Sequence, residues 1–193
     1  MFAQRWPGAL RPVSFPDPPP ELPVDAARLL RQFGLPLGVT IYCYNDIHLH
    51  FSGSLTPLAA IWGRDLEQSY LIGDMPADWR RFWHLADQEY LQGGGWLSIE
   101  EGTGRLVVID LDQREPVYLL SSSVANFYTI LAYFLDWNER QAGGRADLMM
   151  LRDTLLVQNC IPVEELEPFW LNFIDATLDG DDVNFSVVLI QET

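Results

Sequence analysis

The chain has 193 residues, 48% of them hydrophobic and 12% aromatic, enough for a sizeable core in one domain and too much for global disorder. Its formal charge is −15, and all twelve basic residues are arginine. The missing lysine excludes Schiff-base chemistry and a phosphate-loop lysine, and the acidic surplus repels phosphate backbones, which speaks against direct nucleic-acid binding.

Residues 1–23 contain seven prolines, including Pro18-Pro19-Pro20. Proline fixes φ and removes a donor, so this stretch is expected to be an extended arm lying over the domain, with a proline-rich recognition ligand as the other reading. Met1 to Pro20 shows no apolar core of a signal peptide, and no run approaches the length of a membrane span. The expectation is a cytoplasmic chain without membrane contact. Cys43 and Cys160 are far apart and not in a metal or redox spacing. They read as buried thiols of a reducing compartment or as one disulfide.

From residue 24 to 193 a single domain is expected. Asp25 is placed to cap a helix from Ala26 to Phe33, with Leu29, Leu30 and Phe33 on one face and Gly34 as the stop. Val39 to Tyr44 and Ile47 to Phe51 read as a hairpin around Asn45-Asp46. A connection with one helical turn near Leu58 to Trp62 follows, then a strand over Ser69 to Gly73. In the segment Asp74 to Gln92, the residues Trp79, Phe82, Trp83, Ala86 and Tyr90 recur at helical spacing, which predicts a helical insertion.

Gly93-Gly94-Gly95 is expected to be a flexible turn. It leads into strands over Trp96 to Glu100, Arg105 to Asp110 and Val117 to Leu120. Ser121-Ser122-Ser123 then caps a helix from Val124 to Glu139. Another amphipathic helix spans Ala146 to Val157, and a last one Glu164 to Leu178. Asp179-Gly180-Asp181-Asp182 turns into a closing strand, Val183 to Ile190. Ile161 to Thr193 carries eight acids and no base.

The candidate chemistry is sparse. His48 and His50 share one face of a strand; with a third ligand they would bind a metal, and without one they are two edge histidines. The aspartates of the 179–182 turn lack a full calcium-loop pattern. The triple glycine precedes a strand instead of opening a helix, so it is not a phosphate loop. The serine run has no nucleophile elbow. His84 is read as solvated or packed. No catalytic residue, metal or cofactor is expected. The aromatics Trp79, Phe82 and Trp83 have two readings, core or interface anchors.

Several motifs resemble a known family in the same order. Leu29-Leu30-Arg31-Gln32-Phe33-Gly34-Leu35-Pro36 is similar to the opening helix and G-L-P turn of the SUKH superfamily of bacterial immunity proteins, its fourth subfamily above all. Tyr70-Leu71-Ile72-Gly73 is similar to its glycine-ended strand. Leu97-Ser98-Ile99-Glu100 with Thr103-Gly104-Arg105-Leu106-Val107 resembles its T-G turn between strands. Tyr118-Leu119-Leu120-Ser121-Ser122-Ser123-Val124-Ala125-Asn126-Phe127 resembles its short strand and serine-capped helix. The resemblance spans residues 25–140. The family often has asparagine before its paired serines where this chain has Leu120-Ser121, and Asp74 to Gln92 is extra.

The resemblance implies an α+β fold, a mainly antiparallel sheet with helices packed on it. It also implies a non-enzymatic role, binding and blocking a toxin domain, often a nuclease or deaminase. The expected partner is a basic toxin domain. The expected contacts are Glu164, Glu165, Glu167, Asp179, Asp181 and Asp182, together with Trp79, Phe82 and Trp83. The other reading is a regulatory scaffold or interaction module of the same fold.

Overall fold

A computed structural model describes residues 15–36, 38–42, 47–62, 74–90, 93–110, 117–139, 145–157, 170, 174–175, 178–179 and 186–190. Its elements in chain order are α1 (Val24–Phe33), β1 (Gly38–Tyr42), β2 (Ile47–Pro57), the single turn α2 (Leu58–Ile61), a 3-10 turn (Ala77–Arg81), β3 (Phe82–Tyr90), β4 (Gly93–Glu100), β5 (Leu106–Asp110), β6 (Val117–Ser121), α3 (Val124–Glu139), α4 (Arg145–Val157) and β7 (Ser186–Ile190). The fold is α+β. Strands β1 to β6 form an antiparallel meander, and β7 returns to pair antiparallel with β1 at the far edge.

Both faces of the sheet carry an apolar core over β4 and β5. In β5, Leu106 and Val108 enter a large core shared with α1, α3 and α4, while Val107 and Ile109 enter a second core on the opposite face. In β4, Leu97 and Ile99 face the large core and Trp96 the second. Period-two geometry makes this split unavoidable once both faces are covered.

The helix expected over Asp74 to Gln92 is not formed. A 3-10 turn leads directly into β3, which pairs with β2 on one side and β4 on the other. The apolar residues that gave helical spacing divide between two faces: Trp79 and Phe82 belong to the second core, Trp83 and Ala86 to the large one. A register shift between His84 and Ala86 inserts Leu85 as an extra residue, so that Leu85 and Ala86 both reach the large core. Two covered faces and a bulge produced the false period. The triple glycine is likewise strand, with Gly93, Gly94 and Gly95 opposite Tyr90, Glu89 and Gln88.

Helix α1 begins one turn's edge earlier than expected. Pro23 is its N-cap residue and no side chain caps it, so Asp25 sits inside the first turn, where the helix dipole favours an acid. Gly34, at φ 61°, ends the helix and its N–H donates to Leu30 O. Helix α3 has the expected limits. Ser123 Oγ accepts the Asn126 N–H at 3.1 Å, an N-cap bond to the third helical residue.

The second half of the proline-rich arm is part of the domain. Phe15 and Leu22 are buried in the large core, and Glu21 O accepts the Gly102 N–H at 3.1 Å. The expected strand over Ser69 to Gly73, the Asn45-Asp46 turn and both cysteines lie outside the described residues. Of the last expected helix, Trp170, Ile174, Asp175 and Leu178 are described and helical, with Trp170 and Ile174 buried; Asp179, expected to open the turn, is helical too.

Candidate functional site

The second face of the sheet carries every histidine of the chain. His48 and His50 project from β2 on the side away from Leu49 and Phe51, opposite Glu89 and Asp87 of β3. His48 Nδ1 lies 3.2 Å from Thr40 Oγ1 on β1, which gives that histidine a polar neighbour within the sheet. His84 packs edge-on against Trp96 with ring centroids 6.0 Å apart, and its Nε2 lies 3.0 Å from Asp87 Oδ1. Residues three apart in a regular strand point to opposite faces; the Leu85 bulge is what brings His84 and Asp87 together. Among the described residues, no group of three or more histidine, cysteine or acidic side chains is placed to hold a metal ion.

Next to the histidines lies an aromatic cover. Trp62 meets Trp79 and Trp96 in edge contacts, at centroid distances of 5.7 and 6.3 Å. Ser98 stands opposite His84 in the ladder, fully buried, and its Oγ has no hydrogen-bond partner among the described residues. At the end of β4, the nearly buried Glu100 holds three elements together. Its carboxylate pairs with Arg81 Nε at 3.0 Å and accepts from Thr103 Oγ1 at 2.6 Å. Arg105 Nε lies 3.9 Å away. These bonds fasten the 3-10 turn to the T-G turn between β4 and β5, a structural task.

Of the expected contact residues, Trp79, Phe82, Trp83 and Asp179 are described. Trp79 and Phe82 are only 2% and 1% exposed, which gives them packing roles and removes them from any partner surface. Trp83 is half-buried and packs on the large core, across the sheet from the other two. Glu164, Glu165, Glu167, Asp181 and Asp182 lie outside the described residues. Asp179 is described and exposed.

One exposed surface, on α4, was not foreseen. Helix α4 turns Leu148 and Leu151 inward and leaves Met149 and Met150 at 53% and 57% exposed. Arg152 Nε pairs with Asp175 Oδ1 at 2.9 Å, which ties α4 to the acidic C-terminal segment. The signal in the sequence was two methionines falling outside the stripe of Leu148, Leu151 and Leu155.

No family model, curated protein or solved structure matches the chain. The T-G turn and the serine cap are formed, with Gly102 and Gly104 at φ 74° and 71° and the Ser123 bond in place. No helix among the described residues is long and apolar enough to cross a membrane.

Proposed function

We propose that the chain is an immunity protein: it binds a cognate polymorphic toxin in the cytoplasm and blocks it, without chemistry of its own. The toxin is a basic domain, a nuclease or nucleic-acid deaminase, whose cationic surface serves to hold nucleic acid. The observation that carries this reading is the charge: −15 overall, no lysine, and eight acids without a base from Ile161 to Thr193. Such a field attracts a cationic protein and accelerates the encounter, which matters for an inhibitor that must arrive before damage is done. The antiparallel α+β architecture and the motif order support the same reading.

The test is rescue. Cells expressing the toxin domain encoded beside the gene for this chain should survive when the chain is co-expressed and die without it. Death in both cases would sink the proposal. With purified proteins, the association rate should fall steeply as salt rises.

A further inference from the structure

We infer that the outward face of α4, centred on Met149 and Met150, is the docking surface for that basic partner, an inference that rests on the immunity reading. Among the described residues, three large hydrophobic side chains are exposed: Val24, Met149 and Met150. Two of the three are neighbours on one helix. Helical spacing puts Ala146, Met149, Met150 and Asp153 on a single face, and all four are exposed. Leu148 and Leu151 on the opposite side already satisfy the helix's demand for burial. The methionines are thus surplus to folding, and unbranched thioethers suit a surface that must mould itself to another protein.

Charge selects the occupant. Asp153 lies on the methionine face itself and is exposed. Arg152, one turn on from Met149, is paired with Asp175 Oδ1 at 2.9 Å, so that pair carries no net charge. An apolar centre with an exposed acid, on a chain of net charge −15, fits a partner that offers an apolar pocket bordered by lysine or arginine. A second copy of this chain would bring the same acids against themselves, and its net charge of −15 opposes that pairing.

The experiment uses an active-site variant of the adjacent toxin domain as probe, titrated against the full chain by calorimetry. Met149→Asp with Met150→Asp should weaken binding roughly 30-fold or more, and Asp153→Arg about 3- to 10-fold. A probe that binds the wild type and both variants equally would overturn this surface and leave the immunity reading standing. A probe that does not bind the wild type would overturn both. Methionine oxidation by dilute peroxide gives a readout on the unmodified chain: Met149 and Met150 should be protected in the complex, and full oxidation there would overturn the surface even if the variants fail to fold. A wild-type dimer in sedimentation, dissolved by the double substitution, would assign the face to a second copy and overturn the basic partner.

Discussion

On the helix side of the sheet, Phe127, Ile130 and Leu131 of α3 share one core with Leu97, Ile99 and Val108 of the strands and with Leu30 of α1. On the other side, a single helical turn and a 3-10 turn bring Leu58 and Trp79 onto Trp96, Val107 and Leu119. The first cover is made of long helices carrying aliphatic stripes. The second is made of short segments that rely on the area of tryptophan, and it borders polar groups such as His84 and Asp87. Long helices fix their packing through many turns at once. Short segments depend on a few large side chains and on point fastenings such as Arg81 to Glu100.

Truncation at the two covers should separate them. Phe127→Ala in the helix-side core is expected to cost about 3–5 kcal/mol, since α3 is held on several sides and the cavity cannot close. Trp79→Ala should fall at or below the lower end of that range, because the 3-10 turn can settle into the space left. Urea unfolding of both variants measures the difference. Equal losses would show that the second cover is as rigid as the first.

The same contrast explains what could be foretold. Helix α3 was legible to the residue because its apolar stripe and serine cap agree. The pairing of β1 with β2, strands β5 and β6 and the Trp96 to Glu100 part of β4 were legible from β-branched runs and turn residues, whereas the extension of β2 past Phe51 to Pro57 and the glycine start of β4 were not. The 3-10 turn and β3 were not. Phe82, Trp83, Leu85 and Ala86 are all apolar because both faces of the strand are covered, so alternation is lost and a bulge imitates a helical period. The acids of the C-terminal segment were visible as charge, but exposure of Met149 and Met150 depends on which way α4 turns, a tertiary choice. The His84–Asp87 pair was hidden for a similar reason, since it exists only through the bulge.

A junction within the helix-side cover gives a smaller effect with a pH signature. Tyr128 of α3 donates its hydroxyl to Gly34 O at the end of α1, so it ties two helices together. Tyr128→Phe leaves that buried carbonyl short of a donor and should cost about 1–2 kcal/mol at neutral pH. Burial pushes the Tyr128 hydroxyl well above the usual tyrosine range. Above pH about 10 an unfolded tyrosine releases its proton while the buried one retains it, so the folded state binds more protons. The stabilisation is complete below that pH and is lost as pH rises beyond it. Unfolding free energies at pH 8 and 10.5 should therefore fall more for the wild type than for Tyr128→Phe. Equal falls would argue against a retained proton.

The smallest expected change lies in the second cover. Two serines have opposite circumstances: Ser123 Oγ accepts the Asn126 N–H, whereas Ser98 Oγ is fully buried without a hydrogen-bond partner among the described residues. A hydroxyl that satisfies a helix start stabilises, and Ser123→Ala should cost about 1 kcal/mol. A buried hydroxyl with no partner has lost its water for nothing in return, so Ser98→Ala should be neutral or raise stability by up to about 1 kcal/mol. The two single variants, compared by thermal unfolding, should thus shift in different directions or by clearly different amounts. If Ser98→Ala proves as damaging as Ser123→Ala, the Ser98 hydroxyl has a partner, and the second cover is then held by polar bonds as well as by its tryptophans.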